Sequence, residues 1–371
     1  MGGRKAARFS PKEGVCNMIT INKELFGRTQ QGEPVFRFRM KNSVGVSVDI
    51  LEYGCTIQSI CVPTGSERTV DVVLGYDRLS DYEKGGCVYG AVVGRYANRI
   101  RNGEVTLSGS TYRMEKNDGN NHLHGCFSHR VFSGRMEEDS VVLTYLSPDG
   151  EDGLPGNLTV PVRYRLDEEN ALHIEYGSET DRETVLNLTN HSYFNLNGFG
   201  IVHGHRLQID ADCYTEADQE LLPTGRVLPV EGTLMDFRRE KLIGKGLMNP
   251  DPLLSMAGGY DHNYIVNGTA PELRLAARVR GEVSGIAMEC WTTQPAVQFY
   301  TGNYIHEDSV RFGKKGAKYP QYGGFCLETQ HYPDSPHFPD FPNTVLAPGS
   351  RFSEKTVYRF FPGRKGIQNN S

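Results

Sequence analysis

The stretch Val44-Gly-Val46-Ser-Val48-Asp-Ile50 decides the fold class, because its apolar residues recur at every second position. A period of two places alternate side chains on one face of an extended chain, which is the pattern of a strand with one buried face. Five more short stretches alternate in the same way between turn-forming clusters: 36–40, 160–166, 172–176, 207–211 and 273–275. The pattern predicts an all-β protein with a large antiparallel β-sandwich.

Sequences typical of amphipathic helices are scarce. Residues 79–83 and 236–247 are two candidates, and neither is long enough to alternate with strands as a parallel α/β sheet requires. No low-complexity linker and no repeat divides the chain. We therefore expect one sandwich domain over residues 18–371 with few short helices. Residues 1–17 are basic and lack periodicity, so we expect a disordered tail there.

Composition narrows the class of partner. The formal net charge is −5, and basic and acidic residues are mixed along the chain, so neither nucleic acid nor an anionic membrane is expected to bind. No apolar run approaches the roughly 18 residues of a membrane helix, and the first residues lack the apolar core of a secretory signal. The eight cysteines are scattered without a C-x-x-C pair and are interpreted as reduced thiols. We expect a cytoplasmic monomer or weak homodimer with a small polar ligand.

Common signatures of metal and cofactor sites are absent from the sequence. It contains no H-E-x-x-H, no phosphate-binding P-loop and no G-x-S-x-G elbow. Two His-x-His pairs, His122 with His124 and His203 with His205, place imidazoles two residues apart, but no third and fourth ligand follow at a plausible spacing. We therefore expect no metal and no cofactor.

Six clusters of polar and aromatic residues contain the side-chain types that a sugar-binding site needs. Amide, guanidinium, imidazole and carboxylate groups bind sugar hydroxyls, and aromatic rings bind the C–H face of a sugar. The clusters are G-R-Y-A-N-R-I at 94–100, N-H-L-H-G at 121–125, L-T-N-H-S-Y-F-N-L at 188–196, Y-D-H-N-Y at 260–264, Q-P-A-V-Q-F-Y-T-G-N at 294–303 and G-G-F-C-L-E-T-Q-H-Y-P-D at 323–334.

In this order the six motifs resemble those of the aldose 1-epimerase family, across roughly residues 20 to 361. The resemblance implies a groove on one face of the sandwich and interconversion of the α and β anomers of free hexoses such as galactose and glucose, in the service of hexose metabolism. It also implies that His191 is the general acid and Glu328 the general base. The residues implied to bind the sugar are Asn98, Arg99, His124, Tyr193, Asp261 and Gln298. One departure is Cys126, where many members have a second glycine, and it bears on substrate preference.

The reaction explains why these residue types are needed. Opening a hemiacetal requires removal of a proton from the C1 hydroxyl and delivery of one to the ring oxygen, which one carboxylate and one histidine can do. After rotation about C1–C2 the ring recloses with the two roles exchanged. Because a nearby carboxylate favours the imidazolium, we expect Asp261 to pair with His191.

Two other functions remain open at this point. A non-catalytic sugar-binding protein would keep the sandwich and the groove, since a fold does not determine an activity. A glycosidase or lyase on a similar sandwich would need paired carboxylates, whereas the matched catalytic motif contains only Glu328, with Asp261 as a distant second.

Overall fold

The computed structural model describes residues 19–65, 68–249 and 251–363, so the expected tail over 1–17 lies outside the described residues. β-strands dominate these ranges. The strands are β1 Thr20–Arg28, β2 Pro34–Lys41, β3 Ser47–Leu51, β4 Thr56–Pro63, β5 Thr69–Asp71, β6 Val92–Val93, β7 Arg99–Ile100, β8 Glu104–Leu107, β9 Ser110–Arg113, β10 His122–Leu123, β11 Ser133–Met136, β12 Val141–Ser147, β13 Leu158–Leu166, β14 Ala171–Thr180, β15 Thr184–Val185, β16 Thr189–Asn190, β17 His205–Ile209, β18 Cys213–Ala217, β19 Pro223–Pro229, β20 Lys241–Leu242, β21 Asp261–Ile265, β22 Arg274–Gly281, β23 Ala287–Thr292, β24 Ala296–Tyr300, β25 Cys326–Gln330, β26 Val345–Leu346 and β27 Phe352–Phe361.

The α-helices in the same ranges are short: α1 Leu79–Lys84, α2 Gly244–Leu247 and α3 Pro252–Met256. The helix expected at 79–83 is confirmed by α1. Helix α3 has a typical N-terminus: the side chain of Asp251 accepts backbone hydrogen bonds, and a proline follows in the first turn. None of the helices in the described part of the chain is long and apolar enough to cross a membrane.

Three large sheets form the architecture, and their strands pair antiparallel. One sheet has nine strands in the order β11-β12-β13-β14-β27-β23-β22-β17-β20. The other two have five strands each, in the orders β1-β2-β3-β4-β5 and β19-β18-β21-β24-β25. The antiparallel all-β fold class expected from the sequence is confirmed.

The main hydrophobic core contains residues from all three sheets. Strand β13 shows how the alternation works: Val160, Val162 and Tyr164 are fully buried, while the residues between them are partly exposed. Core side chains from the two five-stranded sheets, such as Ile50 and Phe299, belong to the same cluster. A shared core supports the interpretation of one domain, which stays a prediction.

The candidate segment 236–247 holds one short helix, at its C-terminal end. Only Gly244–Leu247 is helical, because Lys241–Leu242 pairs with β17 at the edge of the nine-stranded sheet. The carbonyl of Phe237 also accepts a hydrogen bond from the backbone of Ile209 at 2.9 Å. Sheet pairing therefore determines the backbone just ahead of this short helix. At the other end of the chain, Val44 lies in a turn, and the strand expected over 44–50 begins at Ser47.

Arg95 is a fully buried arginine in the motif at 94–100, and its role is structural. Its guanidinium donates to Oγ of Ser147 at 2.8 Å and to the carbonyl oxygens of Pro148, Pro155 and Gly156 at 2.8, 2.9 and 3.0 Å. The planar fork of an arginine matches several acceptors at once. Arg95 therefore fastens the loop at 147–156 to the segment that precedes Asn98 and Arg99.

We expect Arg95→Met to destabilise the protein by about 3 kcal/mol or more, because it leaves several buried carbonyl oxygens without a donor. Arg95→Lys is expected to recover only part of this loss, since an ammonium cannot reach the same set of acceptors. The midpoint of urea unfolding measures both effects. Arg113→Met is the control: Arg113 is largely exposed and pairs with Glu104, so its loss should change stability by at most about 0.5 kcal/mol. Equal losses at the two positions would contradict the structural role of Arg95.

Candidate active site

The sheet β19-β18-β21-β24-β25 carries the floor of the site. Gln298 on β24 lies opposite Glu328 on β25, and Asp261 on β21 lies opposite Tyr300 on β24. Because successive side chains in a strand point to opposite faces, Leu327 packs in the core while Glu328 points away from it. Asp261, Gln298 and Glu328 therefore share the outer face of this sheet.

Two chain segments with unusual backbone conformations form one wall. Asn98 and His124 both have positive φ values, 67° and 68°, in a region that asparagine and histidine occupy more readily than most residues. The backbone N–H of Asn98 donates to Nδ1 of His124 at 3.2 Å, and the backbone N–H of His124 donates to the carbonyl of Asn98 at 3.2 Å. Since Nδ1 accepts, the neutral ring of His124 carries its proton on Nε2.

His191 follows the short strand β16 and is buried among aromatic rings. Its backbone N–H donates to the carbonyl of Ala91 at 2.8 Å, which fixes the main chain. The imidazole stacks on Tyr193, with ring centroids 5.0 Å apart, and meets the ring of His124 edge-on at 5.1 Å. Nε2 of His191 lies 3.5 Å from Oε1 of Glu328. A histidine and a carboxylate thus stand side by side on the floor of the site.

These residues enclose a cavity of about 330 Å³. Seven of the eight residues singled out in the sequence line it: Asn98, Arg99, His124, His191, Tyr193, Asp261 and Glu328. Gln298 does not line the cavity but donates from Nε2 to Oδ1 of Asp261 at 2.6 Å. Sequence reasoning missed other lining residues, including Cys87, Tyr300, Tyr304, Glu307 and Asp308. Tyr300 lies inside a quoted motif, whereas the others carry no motif signal.

Burial moves the pKa values of the acid and base candidates in opposite directions. Burial, and then the neighbouring Asp261, raise the pKa of Glu328 well above its usual value, with Arg99 opposing them. Within the described residues, Oε2 of Glu328 has no hydrogen-bond partner. Burial lowers the pKa of His191 to about 4 and that of His124 well below its usual value. Both imidazoles are therefore neutral near pH 7.

The expected pairing of Asp261 with His191 is wrong. Asp261 accepts from Gln298, and its Oδ2 lies 4.0 Å from the guanidinium of Arg99. Burial raises the pKa of Asp261, with Arg99 and Gln298 opposing that rise. The carboxylate beside His191 is Glu328.

The two His-x-His pairs do not converge on a common point. Nδ1 of His122 lies 2.7 Å from the carbonyl oxygen of Glu115, whereas Nδ1 of His124 accepts from Asn98. Nε2 of His205 accepts from a backbone N–H at 3.0 Å, and the ring of His203 packs on Tyr322 instead. Across residues 19–65, 68–249 and 251–363, one group of three possible metal ligands is found, and it consists of His191, Cys326 and Glu328.

Cys126, the departure noted in the motif at 121–125, does not line the cavity. Its side chain packs against the main hydrophobic core, and its backbone N–H donates to Oδ2 of Asp152 at 3.0 Å. The residue before it, Gly125, has a positive φ of 69°, and a Cβ there would lie 2.2 Å from the carbonyl oxygen of Gly94. Cys126 thus affects the packing behind His124.

Comparison with known proteins agrees with this geometry. A family model described as aldose 1-epimerase matches residues 37–359. The chain belongs to the aldose 1-epimerase family. The galactose mutarotase of Bos taurus is 40% identical over 348 residues, which are 92% of this chain and 99% of that protein. The aldose 1-epimerase of Escherichia coli is 34% identical over 336 residues, covering 89% of this chain and 96% of that protein.

Solved structures extend the agreement to three dimensions. The crystal structure of galactose 1-epimerase from Lactobacillus acidophilus is 30% identical to the chain and superposes with a TM-score of 0.81, covering 93% of this chain and 100% of the other. Membership of the aldose 1-epimerase family confirms the isomerase class and the interconversion of aldose anomers expected from the motifs.

We expect Gln298→Leu to raise KM about tenfold with a smaller change in kcat, because a hydrogen bond to a charged group contributes roughly 1.5–3 kcal/mol. Without the amide of Gln298, Asp261 loses the partner that orients it toward the cavity. Initial rates over a range of sugar concentrations separate the two constants. Gln330→Leu is the matched control, since Gln330 is buried on the neighbouring strand and does not line the cavity. An unchanged KM for Gln298→Leu would contradict this positioning role.

Proposed function

We propose that the protein interconverts the α and β anomers of free aldohexoses, galactose and glucose among them, with Glu328 as general base and His191 as general acid. The observation that carries the proposal is the 3.5 Å approach of Nε2 of His191 to Oε1 of Glu328 on the floor of the cavity. The galactose mutarotase name of its relative from Bos taurus supports galactose as one substrate.

In the forward direction Glu328 removes the proton from the C1 hydroxyl while His191 delivers one to the ring oxygen, and the C1–O5 bond breaks. Rotation about C1–C2 turns the other face of the aldehyde toward the C5 hydroxyl. On reclosure His191 takes the C5 hydroxyl proton and Glu328 returns one to O1. Each proton thus comes back to its starting group, and no net acid or base is consumed.

The opposite pKa shifts suit these roles. A raised pKa makes the carboxylate of Glu328 a stronger base toward a hydroxyl, and a pKa of about 4 makes the imidazolium of His191 a stronger acid toward the ring oxygen. The active pair, carboxylate and imidazolium, holds one proton in total. The resting pair, carboxylic acid and neutral imidazole, holds the same number, so a proton moves between the two groups without exchange with solvent.

The remaining polar groups of the cavity are proposed to bind the sugar. Arg99 is held by Asp118 through its Nε at 2.7 Å, and one of its terminal nitrogens lies 4.0 Å from Oδ2 of Asp261, which also lines the cavity. His124 carries its Nε2 proton as a donor, because Nδ1 is occupied by Asn98. A positioned donor stabilises the negative charge that develops on a sugar oxygen as the ring opens. The ring of Tyr193 stacks on the imidazole of His191 and helps to hold it in position.

We also propose a cytoplasmic setting, a monomeric or weakly dimeric state, and no nucleic-acid, membrane or cofactor partner. The mixed surface charge and the net charge of −5 support this. Cysteines without disulfide partners, such as Cys61 and Cys213, fit a reducing compartment.

We expect Glu328→Gln and His191→Gln each to lower kcat by roughly 10²–10⁴-fold, the usual contribution of a positioned proton-transfer group. Polarimetry on freshly dissolved α-D-galactose and α-D-glucose, corrected for the spontaneous reaction, measures the loss. Circular dichroism confirms that the variants are folded. A folded wild-type protein without activity on common aldoses would favour the sugar-binding alternative. Release of the chromophore from nitrophenyl glycosides would favour the glycosidase alternative.

We expect kcat/KM to fall as the pH passes downward through about 4, where His191 gains its proton while Glu328, whose pKa burial raises, is still protonated. Above the pKa of His191, the pair formed by His191 and Glu328 holds one proton. Below that pKa the pair holds two protons, so neither group can act as a base and the rate falls. Enzymatic rates in a series of buffers, with the blank subtracted and the fold monitored at each pH, test this. A loss centred near the ordinary histidine value of about 6.5 would contradict it.

A further inference from the structure

Three side chains of different chemistry converge beside the cavity. Cys326 and Glu328 are two residues apart on β25 and point to the same face, and His191 approaches them from the segment after β16. Sγ of Cys326 lies 3.6 Å from Nδ1 of His191, and Oε1 of Glu328 lies 3.5 Å from Nε2 of the same ring. One ligand atom from each residue can be chosen so that all lie within 4.8 Å of one another.

All three side chains are more than nine-tenths buried, and one of their polar atoms has no hydrogen-bond partner among the described residues. The exposed fractions are 4% for His191, 0% for Cys326 and 2% for Glu328. Oε2 of Glu328 accepts no hydrogen bond from the described residues. Buried polar oxygens are normally paired with protein, water or an ion, so a free carboxylate oxygen in such a cluster indicates room for a ligand.

We infer that this cluster binds a thiophilic divalent cation of the zinc class and that the bound cation inhibits the enzyme. The ligands are Sγ of Cys326, a carboxylate oxygen of Glu328 and one ring nitrogen of His191. The fourth position is left for water or a sugar hydroxyl. The inference concerns binding of a metal as an inhibitor, which goes beyond the proposed function and assigns the metal no part in turnover.

Geometry supports a tetrahedral ion. Zinc lies about 2.3 Å from sulfur and about 2.0–2.2 Å from nitrogen or oxygen, so neighbouring ligand atoms lie about 3.3–3.7 Å apart. The separation between Nε2 and Oε1, 3.5 Å, already falls within that range. The other separations are at most 4.8 Å, so closing them to this range takes shifts of about 1 Å or less, which rotation of side chains can supply.

Charge supports the same ion. A divalent cation with one thiolate, one carboxylate and one neutral imidazole makes a complex of net charge zero, and a neutral complex is the form that a buried site tolerates best. Binding releases the thiol proton, and the carboxyl proton where one is present, to solvent. A thiolate ligand favours zinc and cadmium, whereas magnesium and calcium prefer sets of oxygen ligands.

The test uses the full-length protein and Cd²⁺ as a spectroscopic probe. Thiolate coordination to cadmium produces an ultraviolet charge-transfer absorption that is independent of enzyme activity. We expect wild type to show this band, Cys326→Ser to lose it, and Glu328→Gln to bind cadmium at least tenfold more weakly. Cys213→Ser is the matched control, because Cys213 lies on β18 and does not belong to the cluster of His191, Cys326 and Glu328, so its band should equal that of wild type.

A second arm measures mutarotation. Micromolar Zn²⁺ is expected to inhibit wild type, with reversal by EDTA and no effect of Mg²⁺, and to inhibit Cys326→Ser at least tenfold less strongly. An undiminished band in Cys326→Ser would overturn the inference, and undiminished affinity in Glu328→Gln would overturn the three-ligand centre. If wild type lacks mutarotase activity but shows the band, the proposed function fails and the metal site stands.

Discussion

The buried guanidinium of Arg95 and the segment around it hold the active site together. The side chain of Arg95 holds the loop at 147–156 in place. The backbone of residues 94–99 forms hydrogen bonds with three distant parts of the chain. Gly94 donates to the carbonyl of His124 at 2.9 Å, Ala97 donates to that of Asn187 at 2.8 Å, and the carbonyl of Arg99 accepts from Asp334 at 3.0 Å. Because these bonds link three of the six motifs and the residue just before a fourth, the cavity wall and floor assemble around this segment.

Much of the fold was predictable because burial on one face leaves a period-two signal, as in 160–166, where alternate residues are in the core. The segment 236–247 shows the limit of local pattern. It holds the short helix expected in it, but pairing of Lys241–Leu242 with β17 confines that helix to Gly244–Leu247. Helix α3 carried a visible signal in Asp251 followed by a proline.

The motifs also located most of the cavity lining, but contacts between site residues depend on strand register, which the sequence does not contain. The register places Gln298 beside Glu328 and lets it bond Asp261, so Asp261 is held away from the position expected for it next to His191. Tyr304 and Asp308 line the cavity from a loop without a recognisable motif. No local pattern distinguishes such residues from an ordinary surface loop.

The alternation along β25 has a consequence for engineering. Leu327 packs in the core and is followed directly by Glu328, so neighbouring residues of one strand belong to the packed interior and to the reacting pair. A larger or smaller side chain at Leu327 would shift the backbone that carries the carboxylate, and a misplacement of about 1 Å can slow proton transfer roughly 10²-fold. The same caution extends to Tyr358 of the nine-stranded sheet, whose hydroxyl donates to the carbonyl of Leu327 at 3.0 Å, so thermostability is better sought away from both residues.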